Sequence, residues 1–292
     1  MVDSRQPRDR EPIDIGYFPP HRLLPAQVLR HSDVLQRMGG PEMTSSQRAG
    51  FHILFVCIEG AGAHEVDFER VPVAVGTVLR IRPGQVHHFV QAGDFDALMV
   101  LWPPETEGVE SAEPVWTPGG TTPTHWRIER PTLTRVTSWI GELDAEQKRF
   151  DGSPARIELT RLLLRTLLLR LRLEQPAETA AAAEQPAVYS EFLGLIERRF
   201  QERPTVDALA GELGYSTRTI DRACRRVSGR TAKRVLDERT VLEARRLLTH
   251  TSLPINRIAR SLGFTDPSNF SKFVHRNLGQ QPHKLRHFDA RS

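Results

Sequence analysis

An internal repeat in the last third of the chain restricts its fold more than any other feature of the sequence. An apolar stripe with helical spacing at 206–213 returns 49 residues later at 255–262, and in both places glycine and an aromatic residue follow. Beyond this glycine the offset between the copies becomes 50 residues. Each copy is therefore predicted to form a helix, a tight turn and a second helix, over about 205–228 and 254–277.

Candidate capping residues support this prediction. Thr205 precedes the first helix of the first copy, and Ser216 and Asp266 precede the second helices of the two copies. Side chains of these types accept hydrogen bonds from the free N–H groups of the first helical turn. The repeat therefore agrees with local capping chemistry as well as with the hydrophobic spacing.

The outward faces of the two second helices carry hydrogen-bond donors suited to DNA. Arginine and lysine bind phosphates and guanine, while serine and asparagine bind base edges. The alternative is that the two helix pairs are ordinary parts of an all-α core, but this would not explain why their exposed faces carry these donors. We therefore predict an interface with double-stranded DNA. Asp221 would repel phosphate, and it is instead suited to accept from a cytosine amine. The predicted contact residues are Arg218, Asp221, Arg222 and Arg225 in the first copy, and Ser268, Asn269, Ser271, Lys272 and Arg276 in the second.

The charge distribution agrees with a nucleic-acid partner. Residues 187–292 contain 20 Lys and Arg against 11 Asp and Glu, whereas residues 1–186 contain 20 against 25. A basic module joined to an acidic remainder is typical of a polyanion-binding domain attached to a domain of another kind. Between the copies, residues 235–250 lack glycine and proline and predict one helix of about 24 Å. Such a helix is suited to hold two recognition helices in successive major grooves, about 34 Å apart.

The first part of the chain predicts strands. Short apolar runs at 51–58, 71–75, 77–81, 86–90 and 97–102 are separated by glycine-rich turns, one of them at 59–62, which favours a small antiparallel barrel or sandwich. A leucine-rich helical segment follows. The predicted domains are 1–130 for the strand-rich part, 131–173 for the helical segment, 174–187 for an Ala/Glu/Pro-rich linker and 188–292 for the basic helical domain.

The second copy closely resembles a known family. The stretch Ile258-Ala259-x-x-Leu262-Gly263-Phe264-x-Asp266-x-Ser268-Asn269-Phe270-Ser271-Lys272-Phe273, closed by Gly279-x-x-Pro282 and Arg286, is similar to the C-terminal signature of AraC/XylS-type transcriptional regulators. The resemblance covers about 188–288 and implies seven helices with two helix-turn-helix units. It also implies that the base-contacting positions fall on Arg218, Asp221 and Arg222, and on Ser268, Ser271 and Lys272.

The strand-rich part resembles the cupin-like sensor domain that precedes this DNA-binding unit in many family members. The similarity is carried by residues 76–89, with a Pro-Gly-x-x-His element at 83–87. It implies a small barrel with a pocket for a small-molecule effector, for which His64, Arg80 and His87 are the candidate binding residues. The alternative is that these histidines lie at the rim or are structural, and that Arg80 lies on a solvated edge.

A metal centre and catalysis are not predicted. Cupin enzymes commonly pair two histidines one residue apart with a nearby glutamate. This chain offers His64 next to Glu65 and no His-x-His. We therefore expect no metal, no cofactor and no enzymatic activity, although a metal-dependent cupin enzyme fused to a DNA-binding domain remains an alternative.

The fold predicted from the sequence is α+β and multidomain, with an N-terminal cupin-like β-barrel, flanking helices and a C-terminal all-α domain. The predicted function is an effector-responsive, sequence-specific regulator of transcription, and the resemblance favours an activator, with RNA polymerase as a possible partner. The helical segment 131–173 either forms a homodimer contact or packs on the barrel. In a further alternative, the barrel binds no ligand and only dimerises.

Two features of composition bear on location. Four arginines interrupt the leucine-rich stretch 157–173, which excludes a membrane span there. Only two cysteines, Cys57 and Cys224, are present, so a disulfide framework is not expected and a reducing cytoplasm is the predicted setting.

Overall fold

The computed structural model describes residues 13–38, 45–91, 94–106, 125–174 and 186–286. These residues form two compact units, one at 13–174 that is rich in β-sheet and one at 186–286 that is helical. The architecture is therefore mixed α/β, as the sequence predicts. Most of the predicted linker, 175–185, lies outside the described residues.

Nine strands make up the sheet within the described part of the N-terminal unit. Five of them, β4 to β8, overlap the apolar runs of the sequence, whereas four short strands and the first helix were not predicted. In chain order the elements are β1 (Ile13–Ile15), β2 (Gln27–Arg30), α1 (His31–Met38), β3 (Gln47–Ala49), β4 (His52–Val66), β5 (Glu69–Ala74), β6 (Thr77–Ile81), β7 (Val86–Gln91), β8 (Phe95–Trp102), β9 (His125–Arg127), α2 (Arg130–Lys148) and α3 (Pro154–Leu173).

The longest strand, β4, belongs to both halves of the sheet. Its residues 52–56 pair with β8 on one side and, from 53 onward, with β6 on the other. Its residues 61–66 pair with β5, and the last four of these also pair with β7. The two halves, β1-β3-β7-β4-β5 and β2-β8-β4-β6-β9, therefore share one strand.

The small closed barrel expected from the sequence is not found among the described strands. Closure requires the two ends of the strand order to pair with each other. Here β1 pairs with β3 alone and β9 with β6 alone within the described ranges, so the sheet stays open. The strands form two halves around an apolar interior instead.

Alternate residues of β4 pack into two different cores, as the two-residue period of a strand requires. Ile53 and Phe55 belong to the interior core between the two halves of the sheet. Leu54 and Val56 belong to a second core, formed with α2 and α3 on the outer face of the sheet. Burial on both sides explains why this part of the strand is continuously apolar.

The reversal predicted at 59–62 is wrong, because β4 continues through this segment. The strand has a bulge between Cys57 and Glu59, and Gly60 adopts a φ of 72° beside it. A Cβ atom at Gly60 would lie 1.7 Å from the carbonyl oxygen of Asp94. Glycine at this position therefore serves a bulge and a close backbone approach, not a chain reversal.

The reversal between β4 and β5 lies at Asp67 and Phe68, whose φ angles are 47° and 73°. Two central residues with positive φ are typical of a tight hairpin turn, which usually contains glycine or asparagine. The Asp67 carboxylate compensates by accepting hydrogen bonds from Gln85 Nε2 at 2.7 Å and from the Val86 N–H at 3.2 Å. The turn is thereby anchored to the start of β7.

Helix α3 has two leucine faces. One face is buried against the sheet and α2, through Leu164, Leu167, Leu168 and Leu171. The other face carries exposed leucines, which at 100° per residue lie within one stripe of the helix. These are Leu159, Leu162, Leu169 and Leu173, of which Leu173 is 85% exposed.

The C-terminal unit consists of helices that share one hydrophobic core from Tyr189 to Val274. No described helix in either unit has the length and the apolar character needed to cross a bilayer. In chain order the helices are α4 (Ala187–Arg199), a 3-10 turn (Phe200–Glu202), α5 (Val206–Glu212), α6 (Thr217–Ser228), α7 (Ala232–His250), α8 (Ile255–Ser261), α9 (Pro267–Leu278) and α10 (Pro282–Leu285).

The three predicted helix caps are confirmed. Thr205 accepts from the Ala208 N–H, Ser216 from the Thr219 N–H, and Asp266 from the Ser268 N–H. The two copies also agree in packing, because residues 220–230 and 270–280 show the same order of buried, half-buried and exposed positions. The sequence repeat is therefore a structural repeat of two helix pairs, α5–α6 and α8–α9.

The long helix α7 carries a buried ion-pair network. Glu243 accepts from Arg239 at 3.2 Å and from Arg246 at 3.0 Å, and the three side chains are 9%, 6% and 4% exposed. Arg239 also makes a bidentate pair with Glu197 of α4. Glu243 thus neutralises two buried guanidinium groups at the centre of the helical unit.

Candidate nucleic-acid interface and internal cavity

Helix α6 presents a row of arginines on its exposed face. Ser216 caps the helix, and Ile220, Ala223 and Cys224 bury the opposite face in the core. Arg218 and Arg222 are exposed, and neither makes a hydrogen bond or ion pair with another described residue. Their guanidinium groups are therefore available for phosphates or for the edge of guanine.

The other two predicted contact residues of α6 bind each other. Arg225 Nε donates to Asp221 Oδ2 at 2.8 Å, and the backbone N–H of Ala232 donates to Asp221 Oδ1 at 2.9 Å. These hydrogen bonds, that from Arg225 first, lower the pKa of the Asp221 carboxyl below its ordinary value. Both oxygens of Asp221 are engaged where α6 meets α7, so the structure gives this residue a structural role.

Helix α9 presents the matching face of the second copy. Ser268, Asn269 and Lys272 are exposed, and Lys272 lies at the position of Arg222 in the repeat. The Lys272 ammonium group makes no ion pair or hydrogen bond with the rest of the described chain. Ser271 is half-buried, and its hydroxyl donates to the Pro267 carbonyl at 3.0 Å.

Two further cations lie at the C-terminal ends of these helices. Arg276 is exposed, with its guanidinium 4.0 Å from Asp237 and 5.7 Å from the ring of Phe273. Arg226 occupies the same position in the first copy and is also exposed. Sequence reasoning missed Arg226, although the 50-residue offset of the repeat, applied to Arg276, points to it.

Helix α7 connects the two pairs. Its 19 residues correspond to a length of about 28 Å. Arg234 Nη1 of α7 donates to Asn277 Oδ1 of α9 at 2.8 Å, and Asp221 of α6 binds its first residue. Both exposed helices are thus fixed to one long helix by polar contacts as well as by the shared core.

The N-terminal unit contains an internal cavity of about 370 Å³. Its described lining is mostly aromatic and aliphatic, with Phe51, Phe55 and Phe89 among the aromatic residues. Tyr17 and Phe18 border it at one side and also line a neighbouring surface pocket. Residues before β3 therefore form part of the cavity wall, which the apolar runs at 51–102 do not form alone.

His64 and His87 both line this cavity and contact each other. His64 Nε2 lies 3.3 Å from His87 Nδ1, and both rings are buried. Burial, followed by the neighbouring histidines, lowers the pKa of His64 well below its ordinary value. Burial, then His88, lowers the pKa of His87 to about 4. Both rings are therefore neutral at physiological pH.

Arg80 is separated from the two histidines. On β6, Leu79 and Ile81 face the interior core, so Arg80 between them faces the other side of the sheet. It does not line the cavity. Its burial, and then the charge of Arg82, lowers the pKa of the Arg80 guanidinium to about 9. The three effector candidates from the sequence are therefore not one cluster.

Metal-ligating side chains do not cluster in the described residues. No group of three or more His, Cys, Asp or Glu side chains is placed to hold an ion there. His64 and His87 form a pair only, and each uses one ring nitrogen on the other. The donor set thus differs from that of cupin enzymes, which also supply a carboxylate.

Comparison with known proteins connects these features. Residues 209–287 match a sequence family described as a helix-turn-helix domain. The HTH-type transcriptional activator RhaS of Salmonella arizonae is 27% identical over 242 residues, covering 81% of this chain and 85% of the relative. By that description the relative is a transcriptional activator.

Two solved structures are also similar. An AraC-type DNA-binding transcriptional regulator from Chromobacterium violaceum is 26% identical, covers 36% of this chain and 93% of its own, and has a TM-score of 0.33. ToxT from Vibrio cholerae O395 is 9% identical, covers 90% of this chain and 96% of its own, and has a TM-score of 0.43. Scores below 0.5 do not establish a common overall arrangement.

Proposed function

We propose that this chain, which is an AraC-type helix-turn-helix regulator of transcription, reads duplex DNA with α6 and α9 together. The observation that carries the proposal is the matching exposure of Arg222 and Lys272, two uncommitted cations 50 residues apart in a structural repeat. Each helix pair then acts as one helix-turn-helix unit, and α7 spaces the two units for successive major grooves. A duplex DNA partner supports a cytoplasmic location.

The contacts divide by chemistry. Arg218, Arg222 and Lys272 are free to bind guanine edges or phosphates, and Ser268 and Asn269 are suited to base edges. Arg276, at the C-terminal end of α9, is suited to the phosphate backbone. Asp221 and Arg225 act within the protein first, because the pair they form fixes α6 to α7. Activation of transcription is supported by the description of the RhaS relatives, and it implies contact with RNA polymerase.

The N-terminal unit is the proposed sensor. Its open sheet is cupin-like in enclosing a cavity of about 370 Å³, within the range of small-molecule sites. Occupancy of this cavity would alter DNA binding through a coupling free energy between two sites. We retain the predicted division of the chain into a sensor domain and a DNA-binding domain that are joined by a linker.

A second copy of the chain is the proposed partner of α3. The exposed stripe Leu159, Leu162, Leu169 and Leu173 lies opposite the buried face of the helix, which supports a self-complementary helix contact. The oligomeric state of the full chain tests this. We expect Leu162→Glu with Leu169→Glu to convert a dimer to a monomer, while Arg165→Glu on the same helix leaves it unchanged. A wild-type chain that is monomeric at micromolar concentration would exclude the dimer.

DNA binding is tested by selecting bound sequences from a random duplex pool at fixed salt, using the full chain. Enrichment of two short elements about 10–10.5 base pairs apart is expected. On the selected duplex, Arg222→Ala and Lys272→Ala should each weaken binding by about 1–3 kcal/mol. Arg198→Ala removes the same charge from an exposed position on α4 and serves as the control. Equal and small losses of affinity in all three variants would indicate that the protein only attracts phosphates without reading bases. That result would contradict the proposal.

A further inference from the structure

The cavity of the N-terminal unit is uncharged on its described lining. Phe51, Phe55, Phe89 and Met99 supply much of the surface, and no Asp, Glu, Lys or Arg side chain borders the cavity within the described ranges. An ionised ligand would therefore lose its hydration without gaining a counter-ion, which costs several kcal/mol. The cavity thus favours a largely apolar, uncharged molecule.

The polar residues of the described lining are Tyr17, Gln27, Gln47 and a pair of histidines. His64 Nδ1 and His87 Nε2 are buried and have no hydrogen-bond partner among the described atoms. Buried polar atoms in folded proteins nearly always have a partner, and an unpaired one is destabilising by about 1–3 kcal/mol. Two such atoms, on two rings that border the same cavity, point to a ligand group that pairs with them.

The proton count of the pair defines that ligand group. Two neutral imidazoles carry two N–H groups on four nitrogens, and one N–H lies between His64 Nε2 and His87 Nδ1. If His64 donates in that bond, His87 Nε2 carries the other proton and His64 Nδ1 is an acceptor. If His87 donates, the two roles are exchanged. In either tautomer the pair offers one donor and one acceptor.

We propose that the cavity binds an uncharged, largely apolar molecule with one group that both donates and accepts a hydrogen bond, such as a hydroxyl or a primary amide, held by His64 and His87. This inference rests on the proposed sensor function and specifies the ligand class of its cavity. The aromatic lining complements a flat or extended hydrocarbon body, and the histidine pair selects the polar group.

Three probes of one shape separate the features of the ligand. Naphthalen-2-ol has a neutral hydroxyl, 2-methylnaphthalene has no polar group, and naphthalene-2-carboxylate is an anion near neutral pH. Calorimetric titration into the full chain should show naphthalen-2-ol binding at least about tenfold more tightly than either of the others. His64→Phe and His87→Phe should each remove this preference while 2-methylnaphthalene still binds.

His52→Phe is the matched control, because His52 is a histidine of β4 that stacks on Trp102 and does not border the cavity. It should keep the full preference for naphthalen-2-ol. Tighter binding of the carboxylate, equal binding of all three probes, or no binding at about 1 mM would each overturn the proposed ligand class. Affinity for the selected duplex is measured on the same preparations. If the ligand experiment fails while DNA binding is intact, only the proposed ligand class is wrong. Loss of selective DNA binding would instead contradict the proposed function itself.

Discussion

Asp221 of α6 accepts a hydrogen bond from the backbone N–H of Ala232, the first residue of α7, at 2.9 Å. At the corresponding place in the second copy the chain has Pro282, which has no N–H, and Ser271 replaces Asp221. The carboxylate is thus present in the copy that has a donor for it and absent from the copy that does not. This pairing explains an acidic residue on a helix whose other charged residues are all arginines.

Asp221→Ala should lower the free energy of unfolding by about 0.5–2 kcal/mol, the usual range for loss of a side-chain acceptor at a helix N-terminus. Ser271→Ala, at the matched position, should cost less than about 0.5 kcal/mol. Urea unfolding followed by the helical circular dichroism signal measures both. Equal losses in the two variants would contradict the structural role of Asp221.

Gly214 and Gly263 end α5 and α8 with φ angles of 73° and 74°, but their surroundings differ. A Cβ atom at Gly263 would lie 2.2 Å from the Gln201 carbonyl oxygen, whereas one at Gly214 would meet nothing within 4 Å. Gly214→Ala should therefore cost about 1–2 kcal/mol for the left-handed backbone alone. Gly263→Ala should cost clearly more, because the backbone at Gln201 must also move. Thermal unfolding of the two variants gives the comparison, and equal melting temperatures would contradict it.

Glu243→Ala should destabilise the helical unit by about 3–5 kcal/mol, because it leaves the buried guanidinium groups of Arg239 and Arg246 without their shared carboxylate. Glu202→Ala removes a carboxylate from an exposed pair with Arg199 and should cost far less, because water screens that pair. Denaturant midpoints distinguish the two expectations. A small loss for Glu243→Ala would mean that water reaches the network.

The N-terminal unit should lose stability as the pH falls from about 6.5 to 4. The pKa of His87 is lowered from its ordinary 6.5 to about 4 by burial, so the unfolded chain takes up a proton before the folded chain does. The free energy of unfolding then falls by about 1.4 kcal/mol per pH unit in this range and is unaffected by this group above it. All four tryptophans precede residue 140, so their fluorescence reports this unit. His87→Phe should remove this contribution and make the profile shallower, while buried His64 keeps its own contribution. An unchanged slope would contradict the assignment.

The helical unit was largely predictable because its information is local. Spacing, caps and glycine positions repeat at a nearly fixed offset, and Thr205, Ser216 and Asp266 act where capping chemistry places them. The role of Asp221 was not predictable, since its partner Ala232 lies eleven residues further on, beyond the end of its own helix. A contact of this kind depends on how two helices meet.

The sheet was less predictable because its information is distributed along the chain. Gly60 resembles a turn residue but serves a bulge, and the real turn at Asp67 and Phe68 contains no glycine. Short strands such as β1 and β3 become strands only because a neighbour offers its edge. The contact between His64 and His87 follows from the pairing of β4 with β7, which no local pattern predicts.

Strand β4 forms the wall between the cavity and the helical layer. Ile53 and Phe55 border the cavity, while Leu54 and Val56, their immediate neighbours in the chain, pack beneath α2 and α3. A ligand that displaces Phe55 also moves the main chain of β4 that carries Leu54. The path from the cavity to the helix that bears the exposed leucines therefore crosses a single strand, with no hinge or loop between them.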